Sequence, residues 1–176
     1  IYDAFLAELV DEGGYVVNAE EKRLLQAAYW DADGHRTPET IARPARVVAQ
    51  KAGFTIPADK TFLIVAGDRI GRTHLFSTEK RGTVLAVFKS TGFDMALDLV
   101  RRIFETGGKG HSCGIYSFND EHIHRLALVA PVSRIMVRQV QSRANAGTFT
   151  NGMPMTSSMG CGTWGGNITN DNISLK

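Results

Sequence analysis

The hydrophobic positions of the chain recur at helical spacing in some stretches and as continuous runs in others. Ile1, Phe5, Leu6, Leu9 and Val10 share one helical face, and Gly13-Gly14 stops that helix. Tyr15-Val16-Val17 reads as a short strand. Asn18 followed by Glu21 has capping-box spacing and opens a helix through Tyr29. Asp31 to Arg36 is a polar turn. Pro44 suits the first turn of a further helix, which Gly53 closes. Phe62 to Ala66 and Val84 to Phe88 are continuous apolar runs, as expected of strands buried on both faces.

The second half continues the alternation. Phe93 to Thr106 is the clearest amphipathic helix, with Phe93, Leu97, Val100, Ile103 and Phe104 facing inward and Gly107-Gly108 as its stop. Gly114 to Phe118 follows as a strand. Asp120 can cap a helix from Glu121 to Val129, and Ser133 to Val140 reads as another strand. From Ala144 the chain turns rich in Gly, Ser, Thr, Asn and Met and loses its periodicity. Strands alternating with helices predict an α/β fold: one three-layer domain over residues 1–176, with a mostly parallel sheet covered by helices and a long irregular C-terminal loop. In such folds ligands sit at the carboxyl ends of the strands, where the loops after Phe88 and Phe118 and the glycine-rich tail are expected to converge.

Composition narrows the function. With 43% hydrophobic and 22% charged residues the 176-residue chain has the make-up of a folded domain. A net charge of +2 gives no electrostatic footprint for nucleic acid or an anionic membrane. No stretch reaches the roughly 18 apolar residues that span a bilayer, and Ile1 to Val10, carrying Asp3 and Glu8, does not resemble a signal peptide. The two cysteines, Cys113 and Cys161, form no CxxC pair, which points to a reduced, cytoplasmic protein.

The candidate chemistry lies in three segments. Gly160-Cys161-Gly162-Thr163-Trp164-Gly165-Gly166-Asn167 surrounds a thiol, an indole and an amide with four glycines, the composition of a shaped loop lining a cavity or of a tight structural turn. His111, in Gly107-Gly108-Lys109-Gly110-His111-Ser112-Cys113, stands between a helix and a strand. It can shuttle protons or simply hold the turn through a carbonyl. Glu79 precedes the Val84 strand and can accept hydrogen bonds from a sugar diol, or pair with Lys80 or Arg81 as a solvated charge. Cys161 has neither an adjacent base nor a helix N-terminus to activate it, so it is not assigned as a nucleophile, and Cys113 reads as a small core residue. Lys109 lacks the spacing of a phosphate loop. The histidines show no metal-ligand spacing, so no metal site is expected.

Together, Glu79 before a Gly-x-Val strand, Gly108-x-Gly110-His111-Ser112 and the run Gly160 to Asn167 resemble the CoA-acylating branch of the aldehyde dehydrogenase superfamily. Within that branch the likeness is to acylating sulfoacetaldehyde dehydrogenases and to the aldehyde dehydrogenase half of bifunctional aldehyde-alcohol dehydrogenases. The resemblance covers nearly the whole chain and implies part of a catalytic domain. The nucleotide-binding domain and the nucleophilic cysteine would lie before Ile1, leaving the fragment alone inactive. It further implies NAD or NADP as cofactor, coenzyme A as co-substrate, a small aldehyde as substrate with sulfoacetaldehyde a candidate, and a homodimer or tetramer. Glu79 would hold the nicotinamide ribose and His111 would give acid/base help near the thioester. Cys161, Gly162, Trp164, Gly165, Gly166 and Asn167 would line the aldehyde channel. The superfamily's Glu-x-Phe-Gly-Pro-Val stands here as Glu79-Lys80-Arg81-Gly82-Thr83-Val84, with Phe and Pro replaced. A non-acylating aldehyde dehydrogenase and a non-catalytic α/β binding or assembly module are the alternatives.

Overall fold

Asn18 and Glu21 cap a helix reciprocally. In the computed structural model, which describes residues 1–173, the Glu21 amide donates to Asn18 Oδ1 and the Asn18 amide to Glu21 Oε2, both at 2.9 Å. Two orphan donors of the first turn are thereby satisfied. The helix they open, α2 (Ala19–Tyr29), follows α1 (Tyr2–Asp11) and β1 (Gly14–Val16). Next come α3 (Ala45–Ala52), β2 (Phe62–Gly67) and β3 (Val84–Phe88). Gly53 ends α3 in the left-handed conformation, φ 91°, which a glycine reaches without a Cβ clash.

The chain forms two compact units, Ile1–Ser90 and Thr91–Lys176. In the first, β1, β2 and β3 make a parallel sheet in that order. Leu63, Ile64 and Val65 of β2 are buried, as a central parallel strand requires. Leu63 and Val65 share a core with Leu25 and Tyr29 of α2 and Val48 and Ala49 of α3. Each fully buried aliphatic side chain contributes about 1.5–3 kcal/mol. One expectation fails here. β3 is an edge strand, so Leu85 is exposed rather than buried. α1 forms as expected; none of its residues is buried, and Ile1 and Phe5 of its apolar face are exposed.

The second unit contains α4 (Phe93–Gly107), β4 (Gly110–Ile115), α5 (Asp120–Val129), β5 (Val132–Val137) and the short α6 (Gln141–Ala144). β4 and β5 pair in parallel, with Gly110 opposite Val132 and Ile115 opposite Val137. The parallel pairing expected of one sheet is therefore distributed over two sheets, of three and two strands. Leu97, Leu126 and Ala130 centre a second core against Ile115, Val132 and Ile135. The α5 cap is Asn119, whose Oδ1 accepts from the Glu121 amide at 3.0 Å, and Asp120 is already the first helical residue. β4 begins at Gly110, four residues earlier than expected, so His111 lies within a strand and not in a connecting loop. After Ala144 the chain is irregular apart from a 3₁₀ turn at Thr163–Gly165. No helix among the described residues is long and apolar enough to cross a membrane.

Candidate active site

Glu79 is held at the amino end of β3. A 3₁₀ turn, Leu75–Ser77, leads into it, and Lys80 turns back to donate from Nζ to the carbonyl oxygen of Phe76 at 2.9 Å. Arg81 adopts φ 48°, unusual for a residue with a Cβ, and its Nε donates to Glu79 Oε2 at 2.8 Å. The segment is pinned on both sides: the Ala42 amide donates to the Arg81 carbonyl at 3.0 Å, and Thr83 Oγ1 to the Arg43 carbonyl at 3.0 Å. Beneath it, Arg36 stacks 3.7 Å above the Tyr29 ring, an attractive cation–π placement. Burial, with Arg36 nearby, pushes the Lys80 ammonium down to about 8. Of the two readings of Glu79, the paired charge is observed, with Arg81 as partner. Only Oε2 is engaged by Arg81, and a carboxylate has acceptor capacity beyond one bond.

In the second unit, His111 and the glycine-rich run come together. A Cβ added to Gly110 would collide with the carbonyl oxygen of Cys161 and stand 3.0 Å from the Gly165 Cα. One added to Gly165 would meet Cys161 Sγ at 2.6 Å and the Lys109 carbonyl at 2.9 Å. The two backbones interlock because neither carries a side chain at the crossing. The run closes on itself: the Asn167 amide donates to the Gly162 carbonyl at 2.9 Å, and Asn167 Oδ1 accepts from the Thr169 amide at 3.0 Å. Gly162 and Gly166 flank the 3₁₀ turn at φ 63° and 73°. Trp164 and His111 are exposed.

Neither thiol of this chain is set up as a nucleophile. Cys113 packs in the second core, and burial pushes its thiol up to about 11, where almost none is thiolate at neutral pH. Cys161 Sγ faces the Gly165 carbonyl of its own turn at 3.6 Å.

Within the second unit the glycine-rich run does not meet the loop after Phe118 at the carboxyl strand ends, as was expected. Gly110 and Ser133, which touch the run, stand at the amino ends of β4 and β5, while Phe118 follows the carboxyl end of β4. Glu79, in the first unit, precedes β3 as expected. The cleft at the carboxyl ends of β2 and β3, about 180 Å³, is lined by Lys22, Gln26, Asp68, His74 and Phe88 instead. The tail reaches the amino ends because it folds back on itself through an antiparallel Met159–Asn172 bridge and a Gly160 amide bond to the Asp171 carbonyl at 3.1 Å.

No family model matches the chain. It is 41% identical over 180 residues to a sulfoacetaldehyde dehydrogenase of Acholeplasma sp, covering all of this chain and 37% of the relative. It is 37% identical over 180 residues to a sulfoacetaldehyde dehydrogenase (acylating) of Bilophila wadsworthia, covering all of this chain and 39% of the relative. Its fold matches the crystal structure of an acetylating aldehyde dehydrogenase from Geobacillus thermoglucosidasius with a TM-score of 0.91 at 29% identity, over 98% of this chain and 38% of that one.

Along its whole length the chain is homologous to acylating aldehyde dehydrogenases.

Its α/β architecture, parallel sheets flanked by helices, is that of the family's solved structures. The chain spans well under half the length of the relatives it matches, 37% and 39%. Against that background two groups escape the sequence reading. Arg134, which alternation along β5 assigns to a polar outer face, is buried beneath the tail together with Asn172. An outward strand face followed by a long polar tail was the available signal. Asp31, Asp33 and His35 bring one ligand atom each within 4.8 Å of one another, at an i, i+2, i+4 spacing. All three are exposed, and Asp31 Oδ1 already accepts the amides of Asp33 and His35 at 3.0 and 2.8 Å, which explains the cluster as a turn.

Proposed function

We propose that this chain is the C-terminal part of the catalytic domain of an NAD(P)-dependent, CoA-acylating aldehyde dehydrogenase acting on a small aldehyde, with sulfoacetaldehyde the leading candidate. The whole enzyme would be a cytoplasmic homodimer or tetramer whose nucleophilic cysteine lies outside these 176 residues. When bound, the nicotinamide cofactor takes the hydride and coenzyme A takes the acyl group from the cysteine thioester.

This chain's residues would bind, shape and move protons. Glu79 accepts the ribose hydroxyls, and its carboxylate fits that task because Arg81 fixes its direction through one oxygen only. Gly162, Trp164, Gly165, Gly166 and Asn167, with Cys161, wall the aldehyde channel and limit its width. The imidazole of His111 removes the thiol proton of the acyl acceptor and returns a proton to the departing cysteine. The observation that carries this reading is the interlock of Gly110 with Cys161 and Gly165, which supports a rigid wall beside a solvent-facing imidazole.

The test uses the full-length protein with sulfoacetaldehyde and NAD(P)⁺, following nicotinamide reduction with and without coenzyme A. Reduction is expected to require coenzyme A and to yield the acyl-CoA. Reduction indifferent to coenzyme A would sink the acylating reading in favour of a hydrolytic relative. His111→Ala is expected to lower turnover about a hundredfold, with an unchanged melting temperature. Wild-type turnover in that variant would remove His111 from the mechanism.

A further inference from the structure

β5 carries a buried cation whose recorded partners are all neutral oxygens. Arg134 is 7% exposed, and among the described residues no carboxylate pairs with it. Its Nε donates to Asn172 Oδ1 at 2.9 Å and its Nη1 to the Gly160 carbonyl at 2.8 Å. The same Nη1 reaches the His111 carbonyl at 3.5 Å, a long contact, and Nη2 is buried with no partner among the described residues. Asn172 passes the connection on, donating from Nδ2 to the carbonyls of Pro154 at 2.8 Å and Asn145 at 3.3 Å. One guanidinium thus ties the strand of His111, the first residue of the glycine-rich run and the returning tail.

Burying a guanidinium without a counter-charge costs free energy, and an apolar residue would fill the space with less penalty. What the guanidinium supplies is several donors in a fixed plane, which a lysine, with a single charged nitrogen, cannot aim at separated carbonyls. We infer that Arg134 is a positioning residue: it seats Gly160–Gly162, and with them the Cys161–Gly165 turn, on the strand that carries His111. The inference takes the glycine-rich run as the channel wall and so rests on the proposed function, but its structural content does not need turnover to be measured.

Peptide-resolved alkylation by iodoacetamide of the full-length protein tests it. Cys161 is half-buried against Gly165 and reports the seating of the run, while Cys113 in the second core reports whether the unit stays folded. Arg134→Met is expected to speed Cys161 labelling at least about tenfold with Cys113 still protected, because charged hydrogen bonds to Gly160 and Asn172 are lost together. Arg134→Lys should recover part of the protection, and Asn172→Ala should speed labelling several-fold with the guanidinium kept. Turnover should fall through kcat, with the KM for NAD(P)⁺ unchanged. Unaltered Cys161 labelling in Arg134→Met overturns the proposal. Where Arg134→Met also exposes Cys113, Asn172→Ala decides, and unaltered Cys161 labelling there overturns it. A wild-type protein without CoA-dependent turnover would defeat the proposed function while leaving the labelling result intact.

Discussion

Gly110→Ala is expected to remove about 3–4 kcal/mol from the stability of the second unit. Two effects add. Gly110 has φ 119°, a backbone conformation L-residues rarely adopt, and strain of this kind costs about 1–2 kcal/mol. The new Cβ would also enter the Cys161 carbonyl, a backbone atom fixed by its neighbours, and cannot be relieved by a rotamer change. Gly166→Ala separates the two contributions. Gly166 has φ 73° and nothing within 4 Å of an added Cβ, so it should cost only the strain. Native-state hydrogen exchange of the β4 amides in the full-length protein measures both variants. Equal losses in the two would mean that the run does not press on β4, and the interlock behind the channel-wall reading would fall.

The same pair of contacts explains what could be read from the sequence. Elements set by local chemistry were legible: the Asn18–Glu21 box, the Gly53 stop and the Phe62 run all act within a few residues. β4 was not legible at its start, because Gly110-His111-Ser112 has no strand propensity of its own. It becomes a strand through pairing with Val132 to Arg134, twenty-two residues on. Asn119 won the cap from Asp120 because its side chain, one residue earlier, reaches the free amides of the first turn. The site residues stood out by residue type and took their roles from resemblance, and Glu79 was legible ahead of its strand; the place of the glycine-rich run at the amino ends of β4 and β5 came from the fold-back of the tail, a long-range fact with no local signal. Arg134 was hidden for the same reason, since its acceptors lie 26 and 38 residues further along the chain.

The stability of the first unit is expected to rise with pH between 8 and 9.5, against the usual trend for an alkaline titration. Lys80 is the cause. In the fold its ammonium is pushed from 10.5 down to about 8, chiefly because burial strips its water and secondarily because Arg36 repels it. Below pH 8 both folded and unfolded chains hold the proton, and the fold carries the whole cost of the buried charge. Between about 8 and 10.5 the unfolded chain keeps the proton that the folded chain has released, so stability increases as pH rises. The gain by pH 9.5 should be about 2 kcal/mol. Tyr15 and Tyr29 work in the opposite direction, since hydrogen bonding to Glu21 raises the first and burial raises the second, but they act only above 10, the value from which they are raised. Holding the upper limit at pH 9.5 keeps them out of the measurement. Lys80→Met should flatten the rise, because the titrating nitrogen is gone while the half-buried aliphatic stem is largely kept. Urea midpoints of both proteins at pH 8 and 9.5 supply the comparison, with equal m-values confirming that only stability changed. Identical pH slopes for the two would show that Lys80 titrates as an ordinary surface amine and that the Glu79 segment is not packed down on Phe76 and Tyr29. Its carboxylate would then be free to wander from the direction that Arg81 gives it.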